Sequence, residues 1–357
     1  MRSRPIRGPG RMKMRPAIAS DDSSIDGEAE MEVEKASQEN LQNIDTMAIA
    51  KLGFTRQVSR SLKQACESFN HIIKIIDFSS SLAKKDGVFF DEEKSDYLKA
   101  NRWQEMLSCL FFGHKAHLAL GIFDKVSYWF SKKEPFVLDA QKMSKMFSTL
   151  EKLPLEGECY LLETLGKVKT FLEDQKAPVR AAGPLIIIYT DGDIYYKNQS
   201  LEPLIRELKD LNSRFSCQFV FRLCTSDDVV LEAFRRLDNK ALGIFIEVID
   251  DFLSEEKEVK YAGNRFLFYN KQINEIRILG GGSKILDRLD ETALIPAEIR
   301  DLAAALFKDA PLHADINPQR FLHELEKLEG AKEWFDFVEL KKALLSKARH
   351  KDRVIPI

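Results

Sequence analysis

The chain has 357 residues and a formal net charge of −2, with 54 lysines and arginines against 56 acids. The length predicts one large domain with an appendage or two small domains, and 44% of hydrophobic residues is enough for a sizeable core. The balanced charge argues against a dedicated nucleic-acid or anionic-membrane protein, because such proteins carry a basic excess. Every apolar run is shorter than the ~18 residues of a membrane-spanning helix, so we expect no membrane insertion. Five scattered cysteines are typical of reduced thiols in an intracellular, cytoplasmic protein.

The first 50 residues predict a disordered tail in which opposite charges are separated. Residues 1–16 carry six bases and no acid, and residues 21–34 carry seven acids and no base. Neither block has apolar periodicity, so neither buries enough surface to offset its ordering entropy. A basic, acid-free start is also typical of a transit peptide, although its prolines and glycines disfavour the amphipathic helix that such peptides form.

Short apolar runs alternate with amphipathic patterns over residues 56–253. We predict strands at 71–77, 117–123, 126–130, 184–190, 219–223 and 244–249. We predict helices at 56–70, around 103–110, at 139–150, 160–172 and 201–211, and after Ser226. Only two residues separate the second strand from the third, so these two form an antiparallel hairpin. The pattern predicts an α/β fold, with a doubly wound, mostly parallel six-stranded sheet and one antiparallel edge strand.

Residues 254–357 predict a C-terminal helical extension with little strand pattern. Apolar residues at helical spacing lie at 299–307, at 321–328 after an Asn-Pro start, and at 332–347 before a basic end. Such an extension docks on the sheet, covers a site or presents a surface to a partner, and the sequence does not choose among these roles.

Two carboxylates follow the two most apolar strands. Asp77 is followed by Ser79 and Ser81, and Asp191 lies in a Thr-Asp-Gly turn. In open α/β sheets, ligand sites lie at the carboxyl ends of the central strands. Carboxylate and hydroxyl oxygens are hard ligands that suit Mg²⁺ or Ca²⁺. We therefore predict a divalent-metal site formed by these four residues.

These residues resemble the metal-ion-dependent adhesion site of the von Willebrand factor A (vWA) domain. The Asp-x-Ser-x-Ser loop of that family matches Asp77, Ser79 and Ser81, and its Thr-Asp-Gly turn matches Asp191 with its neighbours. The order of strands and helices is similar over residues 68–252. The resemblance implies a vWA fold and an ion whose open coordination position takes a carboxylate of a protein partner.

The third element of the family's site differs in this chain. Cys159 stands where the family has a threonine, and a thiol is a poor ligand for Mg²⁺ or Ca²⁺. Glu158 and Asp193 are nearby carboxylates whose direction the sequence does not show. An alternative is therefore a degenerate, metal-free site in which Ser79 and Ser81 bond to turn amides.

The resemblance implies a protein–protein interaction module, because intracellular vWA proteins are typically subunits of larger assemblies. The alternative is a metal-independent scaffold of the same fold. A phosphatase-like hydrolase of the haloacid dehalogenase type also begins with an Asp after its first strand, but it needs a second Asp at the position of Ser79. We therefore expect no enzyme activity and identify no small-molecule substrate.

Other polar groups are interpreted as structural. His114 and His117 flank a predicted strand start and are expected on a solvated edge. The acids at 250–258 are expected to form a solvated rim after the last strand. The Gly-Gly-Gly-Ser segment at 280–283 lacks the Gly-Lys-Ser/Thr ending of a phosphate loop, so it is interpreted as a flexible connector.

Overall fold

Six apolar segments form one sheet in the computed structural model, which describes residues 45–91, 96–175, 183–198, 200–240, 243–279, 285–286 and 288–345. Two further strands form a separate antiparallel hairpin. In chain order the strands are β1 (Ile72–Asp77), β2 (Gly87–Asp91), β3 (Asp96–Ala100), β4 (Val126–Ser131), β5 (Phe136–Asp139), β6 (Leu185–Thr190), β7 (Gln218–Leu223) and β8 (Ile246–Ile249).

The large sheet has the order β5-β4-β1-β6-β7-β8, and every neighbouring pair is parallel except β4 with β5. This topology confirms the predicted α/β fold with a six-stranded sheet and one antiparallel edge strand. Every residue of the central strands β1 and β6 is buried, as expected for strands that helices cover on both faces.

Helices lie on both faces of the sheet. Their bounds are α1 (Thr46–Lys51), α2 (Arg56–Ser68), α3 (Arg102–Leu120), α4 (Ala140–Leu150), α5 (Leu161–Asp174), α6 (Asp193–Asn198), α7 (Glu202–Phe215), α8 (Asp228–Lys240), α9 (Phe252–Tyr261), α10 (Lys271–Ile278), α11 (Pro296–Leu306), α12 (Pro318–Leu325), α13 (Ala331–Trp334) and α14 (Phe337–Leu345). Ile73 and Ile75 of β1 share an apolar cluster with α5, α7 and α8. Ile72 and Ile76 share the other cluster with α2, α3 and the C-terminal helices.

The predicted strand at 117–123 is wrong. Residues up to Leu120 belong to α3, and the antiparallel hairpin pairs β4 with β5 instead. Asn101 begins α3 by accepting a hydrogen bond from Gln104 N at 2.8 Å, and Gly121 ends it with a φ of 69°. Buried residues lie all round this helix, so its sequence lacks a clear 3.6-residue period. A short apolar stretch without that period is compatible with a strand as well as with a helix.

The two expectations of solvated polar groups are also wrong. His114 and His117 are 2% and 0% exposed, and the His114 ring bonds to Tyr128 of β4 and to Ser144 of α4. Asp250, Asp251 and Glu255 are buried as well, since Asp251 caps α9 and Glu255 contacts an arginine of α10. Buried charges of this kind are paired, and periodicity alone does not reveal their partners.

The C-terminal helices belong to the apolar cluster that also contains α2 and α3. The predicted third helix at 332–347 is divided into α13 and α14, and between them Phe335 forms an isolated bridge with Leu267.

Three predicted segments lie outside the described residues: the tail up to residue 44, the connector at 280–283 and the basic end. In the part that is described, no helix is both long enough and apolar enough to cross a bilayer.

Candidate functional site

The two predicted carboxylates lie at the same edge of the sheet. Asp77 ends β1 and Asp191 follows β6, and these strands are parallel neighbours. The two side chains are 2% and 1% exposed. Gly192, with a φ of 80°, then turns the chain from β6 into α6. The topology of the fold therefore buries two acids side by side.

Hydrogen bonds hold the Asp77 carboxylate in place. Its Oδ1 accepts from Ser79 N at 3.1 Å, and its Oδ2 accepts from the Thr190 hydroxyl at 2.9 Å. Burial, and after it the nearby Asp191, raise the pKa of Asp77 to about 7, although the hydrogen bonds from Thr190 and Ser79 lower it. Asp77 therefore takes up a proton close to neutral pH, which is unusual for an aspartate.

The serine loop is bonded internally and to the loop before α5. The Ser79 and Ser81 hydroxyl oxygens lie 2.8 Å apart. Ser80 donates to the Gly157 carbonyl oxygen twice, from its N at 3.1 Å and from its Oγ at 2.9 Å. The segment containing Cys159 is thereby positioned beside the end of β1.

Cys159 lies against Asp77 in the buried part of the site. The residue is 2% exposed, and its thiol is close enough to the Asp77 carboxylate for the charge of Asp77 to act on it. Burial raises the pKa of this thiol well above its ordinary value, and the charge of Asp77 adds to the shift. The structure thus brings Cys159 together with Asp77, Ser79, Ser81 and Asp191, and it supplies a protonated thiol at the position of the expected threonine.

Arg102 is the residue of the site that the sequence did not predict. Its Nη1 donates to Asp191 Oδ2 at 2.9 Å, and its Nε and Nη2 donate to the two oxygens of Asp86 at 2.7 and 2.8 Å. The side chain is 6% exposed. Because the guanidinium is a planar fork of donors, it bridges two carboxylates with a defined geometry.

One feature of the sequence was a signal for Arg102. It is the first residue of α3, and a positive charge opposes the helix dipole at that end. Acidic partners offset this repulsion, and Asp86 and Asp191 provide them. The second partner, Asp191, follows β6 much later in the chain, so the sequence alone did not connect it with Arg102.

The other two expected carboxylates do not converge on the site's centre. Glu158 is 70% exposed and pairs with Lys197 at 3.1 Å. Asp193 is half-buried, and its N donates to Asp191 Oδ1 at 3.2 Å. Burial and the neighbouring Asp191 raise the pKa of Asp193. One acid therefore faces solvent and the other extends the acidic surroundings of Asp191.

The existing contacts of the predicted metal ligands determine how well these residues fit a hard divalent ion. Asp191 Oδ2 already accepts from Arg102, and this fixed positive charge repels a second cation. Both oxygens of Asp77 accept hydrogen bonds, and Cys159 supplies soft sulfur instead of a hydroxyl. The donor set does not fit Mg²⁺ or Ca²⁺ in this arrangement, and it suits a site that Arg102 neutralises.

No protein-family model matches the chain, and no curated protein matches it. Among solved structures, it is similar to a point mutant of the PilB minor pilin from Streptococcus sanguinis, with 11% sequence identity over 61% of this chain. The match spans 62% of that pilin chain, which is less than two thirds of it, and has a TM-score of 0.38. With so low a TM-score, the likeness supports no conclusion about this chain.

Proposed function

We propose that the chain is a protein–protein interaction module of the vWA type that works without a divalent ion. The observation that carries the proposal is the 2.9 Å contact between Arg102 Nη1 and Asp191 Oδ2, both of which are buried. In this proposal the guanidinium supplies the positive charge that an ion supplies in the family's adhesion site. The partner then binds the loops around Arg102.

The surroundings of the site favour binding over catalysis. Asp77 is buried and both of its oxygens accept hydrogen bonds, so it is not presented to a substrate as a nucleophile. Side chains that reach solvent here include Glu158 at 70%, Tyr196 at 46% and Lys197 at 32%. Among these, the tyrosine is of a type enriched at protein interfaces, whose solvent-accessible rim is polar.

The proposal includes an intracellular, cytoplasmic location within a larger assembly. All five cysteines are unpaired, and four of them are buried. Unpaired thiols are typical of proteins from a reducing compartment.

A metal titration separates this proposal from the metal-dependent one, in which Asp77, Ser79, Ser81 and Asp191 hold Mg²⁺ or Ca²⁺. Mn²⁺ serves as the probe, because electron paramagnetic resonance counts the free ion. We expect no binding by the full chain, and a new site in Arg102→Gln, which frees Asp191 Oδ2. Arg102→Lys keeps the positive charge and is expected to bind no Mn²⁺. Circular dichroism checks that each variant is folded.

Binding of Mn²⁺ by the natural chain that Asp191→Asn abolishes would establish the metal-dependent version and overturn ours. A second experiment tests the partner-binding surface. A protein captured by the immobilised chain should stay bound in EDTA and be lost with Tyr196→Ala, while the exposed Glu173→Ala variant retains it. Release of the partner by EDTA would contradict the proposal.

A further inference from the structure

The strand β8 forms the edge of the sheet opposite to β5. Among the described residues it pairs with β7 and with no other strand. Phe219 N donates to the Phe245 carbonyl oxygen at 3.1 Å. Because a parallel ladder uses alternate residues of each strand, Ile246 and Val248 direct their N–H and C=O groups to the outer side. Another chain adds to a sheet at such outward groups.

A groove of about 680 Å³ follows this outer edge. Residues 244–248 form one wall, and Tyr261 and Ala262 at the end of α9 belong to the other. Phe245 is 50% exposed and Tyr261 is 84% exposed. An extended peptide in the groove would therefore meet two exposed aromatic rings and the outer edge of β8, with which no further described strand pairs and where Ile246 is 4% exposed.

The groove is acidic. Its lining has a formal net charge of −4, which becomes −3 where Asp250, whose pKa burial raises to about 8, is protonated. The charged residues are six acids and two arginines, which are Glu247, Asp250, Glu255, Glu258, Asp290, Glu291, Arg235 and Arg277. Ligand oxygens of Glu255, Glu258 and Asp290 lie within 4.8 Å of one another. Arg277 contacts Glu247, Glu255 and Asp290, and Arg235 contacts Asp250 and Glu258, so no metal ion is needed to pair these acids. The excess acids attract a partner of opposite charge.

We propose that this groove binds an extended, basic segment of a partner protein, which adds to the sheet as a seventh strand beside β8. The backbone of the segment bonds to Ile246 and Val248. Because side chains alternate along a strand, lysines or arginines at every second position all lie on the face that carries Glu247, beside the acids that Arg277 contacts.

Fluorescence anisotropy with labelled peptides tests this proposal on the full chain. The probe is a hexapeptide of alternating valine and lysine, and its two controls are an N-methylated form, which lacks alternate backbone donors, and a form with glutamate for lysine. We expect N-methylation to weaken binding at least about tenfold and the acidic peptide not to bind. Slower hydrogen exchange at the Ile246 and Val248 amides should accompany binding of the basic peptide.

Two variants of equal charge change locate the binding surface. Glu291→Lys lies in the groove, whereas Glu151→Lys changes an exposed residue that is not part of its lining. We expect the first to weaken peptide binding about tenfold and the second less than about twofold. Equal losses in both variants, or equal binding of the N-methylated and unmodified peptides, would overturn the proposal.

The chain's own basic segments are the rival occupants. Lys351→Glu with Arg353→Glu reverses charge in the C-terminal segment, and Arg4→Glu with Arg7→Glu does so in the N-terminal one. If either double variant binds the peptide more tightly than the natural chain, its segment already occupies the groove and the assignment to a partner is wrong. Unchanged affinity in both supports a partner segment.

Discussion

The Lys74 ammonium nitrogen in β1 lies 3.9 Å from the Glu275 carboxylate in α10, and the two side chains are 0% and 2% exposed. Lys74 Nζ also donates to the Tyr189 hydroxyl at 3.2 Å. Burial lowers the pKa of Lys74 and raises that of Glu275, while the partner's charge opposes each shift. A central strand and a helix of the C-terminal segment therefore share a buried polar contact.

Glu275→Ala should destabilise the chain by about 3–5 kcal/mol, because it leaves the Lys74 amine buried without its acidic partner. Urea denaturation followed by tryptophan fluorescence measures the change. Lys74→Met combined with Glu275→Leu should recover most of the loss, since two apolar side chains need no pairing.

The exposed pair of Lys142 and Asp139 is the control for that prediction. Its side chains are 67% and 54% exposed, and Lys142→Ala should cost less than about 0.5 kcal/mol. A Glu275→Ala variant as stable as Lys142→Ala would show that the buried contact contributes nothing.

The raised pKa of Asp77 predicts that part of the stability is lost as pH rises. Between its ordinary pKa of 3.8 and the folded value of about 7, the folded chain holds a proton that the unfolded chain has released. The free energy of unfolding that this group contributes therefore falls as pH rises from about 4 to about 7. Asp77→Asn should remove this contribution. The change in the free energy of unfolding between pH 4 and pH 7 should therefore differ by more than about 1 kcal/mol between the two chains.

Denaturation of both chains at several pH values between 4 and 8 checks the difference. Other buried acids, such as Glu105 with a pKa raised to about 7 and Asp250 with one of about 8, act in the same direction and are common to both chains. Parallel profiles for the natural chain and Asp77→Asn would contradict the prediction.

His114 predicts a pH dependence of the opposite sign. Burial lowers its pKa from 6.5 to about 4, and its ring bonds to Tyr128 Oη and Ser144 Oγ at 2.8 Å each. The unfolded chain takes up the proton first, so this contribution to stability is lost as pH falls from about 6.5 to about 4. In NMR spectra the His114 ring signals should not move between pH 8 and pH 5.5. A midpoint near 6.5 would contradict the burial of the ring.

Gly192→Ala should destabilise the Thr-Asp-Gly turn for two separable reasons. The residue has a φ of 80°, and an added Cβ would collide with the Val230 side chain. Gly330→Ala is the matched control, since its φ is 78° and an added Cβ meets nothing within 4 Å. We expect about 1 kcal/mol for Gly330→Ala and about 1–3 kcal/mol more for Gly192→Ala. Equal losses would show that backbone conformation alone requires this glycine.

The strands that form the centre of the sheet were predictable because their apolar runs are short, β-branched and end in turn residues. The strand ends at Asp77 and Asp191 followed from those runs, and so did the expectation that the two acids are neighbours. The helix α10 was not predicted, because three of its buried residues are Asn274, Glu275 and Arg277. Apolar periodicity does not identify a helix whose buried face is charged.

The role of Arg102 was not predictable for a different reason. Its two acidic partners come from loops that only the folded sheet brings together, at Asp86 before β2 and at Asp191 after β6. The same holds for Lys74, whose partner lies in a helix that the sequence pattern did not predict. Local patterns predict elements, whereas ion pairs of this kind depend on how the elements pack.

The Arg102 guanidinium is covalently part of the chain, whereas a bound ion exchanges with the solution. A chelator does not remove a side chain, and the ion content of the compartment does not change how much of it is present. If the site works without a divalent ion, as we propose, the loops that contact Asp86 and Asp191 keep one arrangement in cation-rich and cation-poor solutions. Regulation of this edge of the sheet would then depend on protonation, as at Asp77, or on the amount of partner, and not on divalent-cation levels.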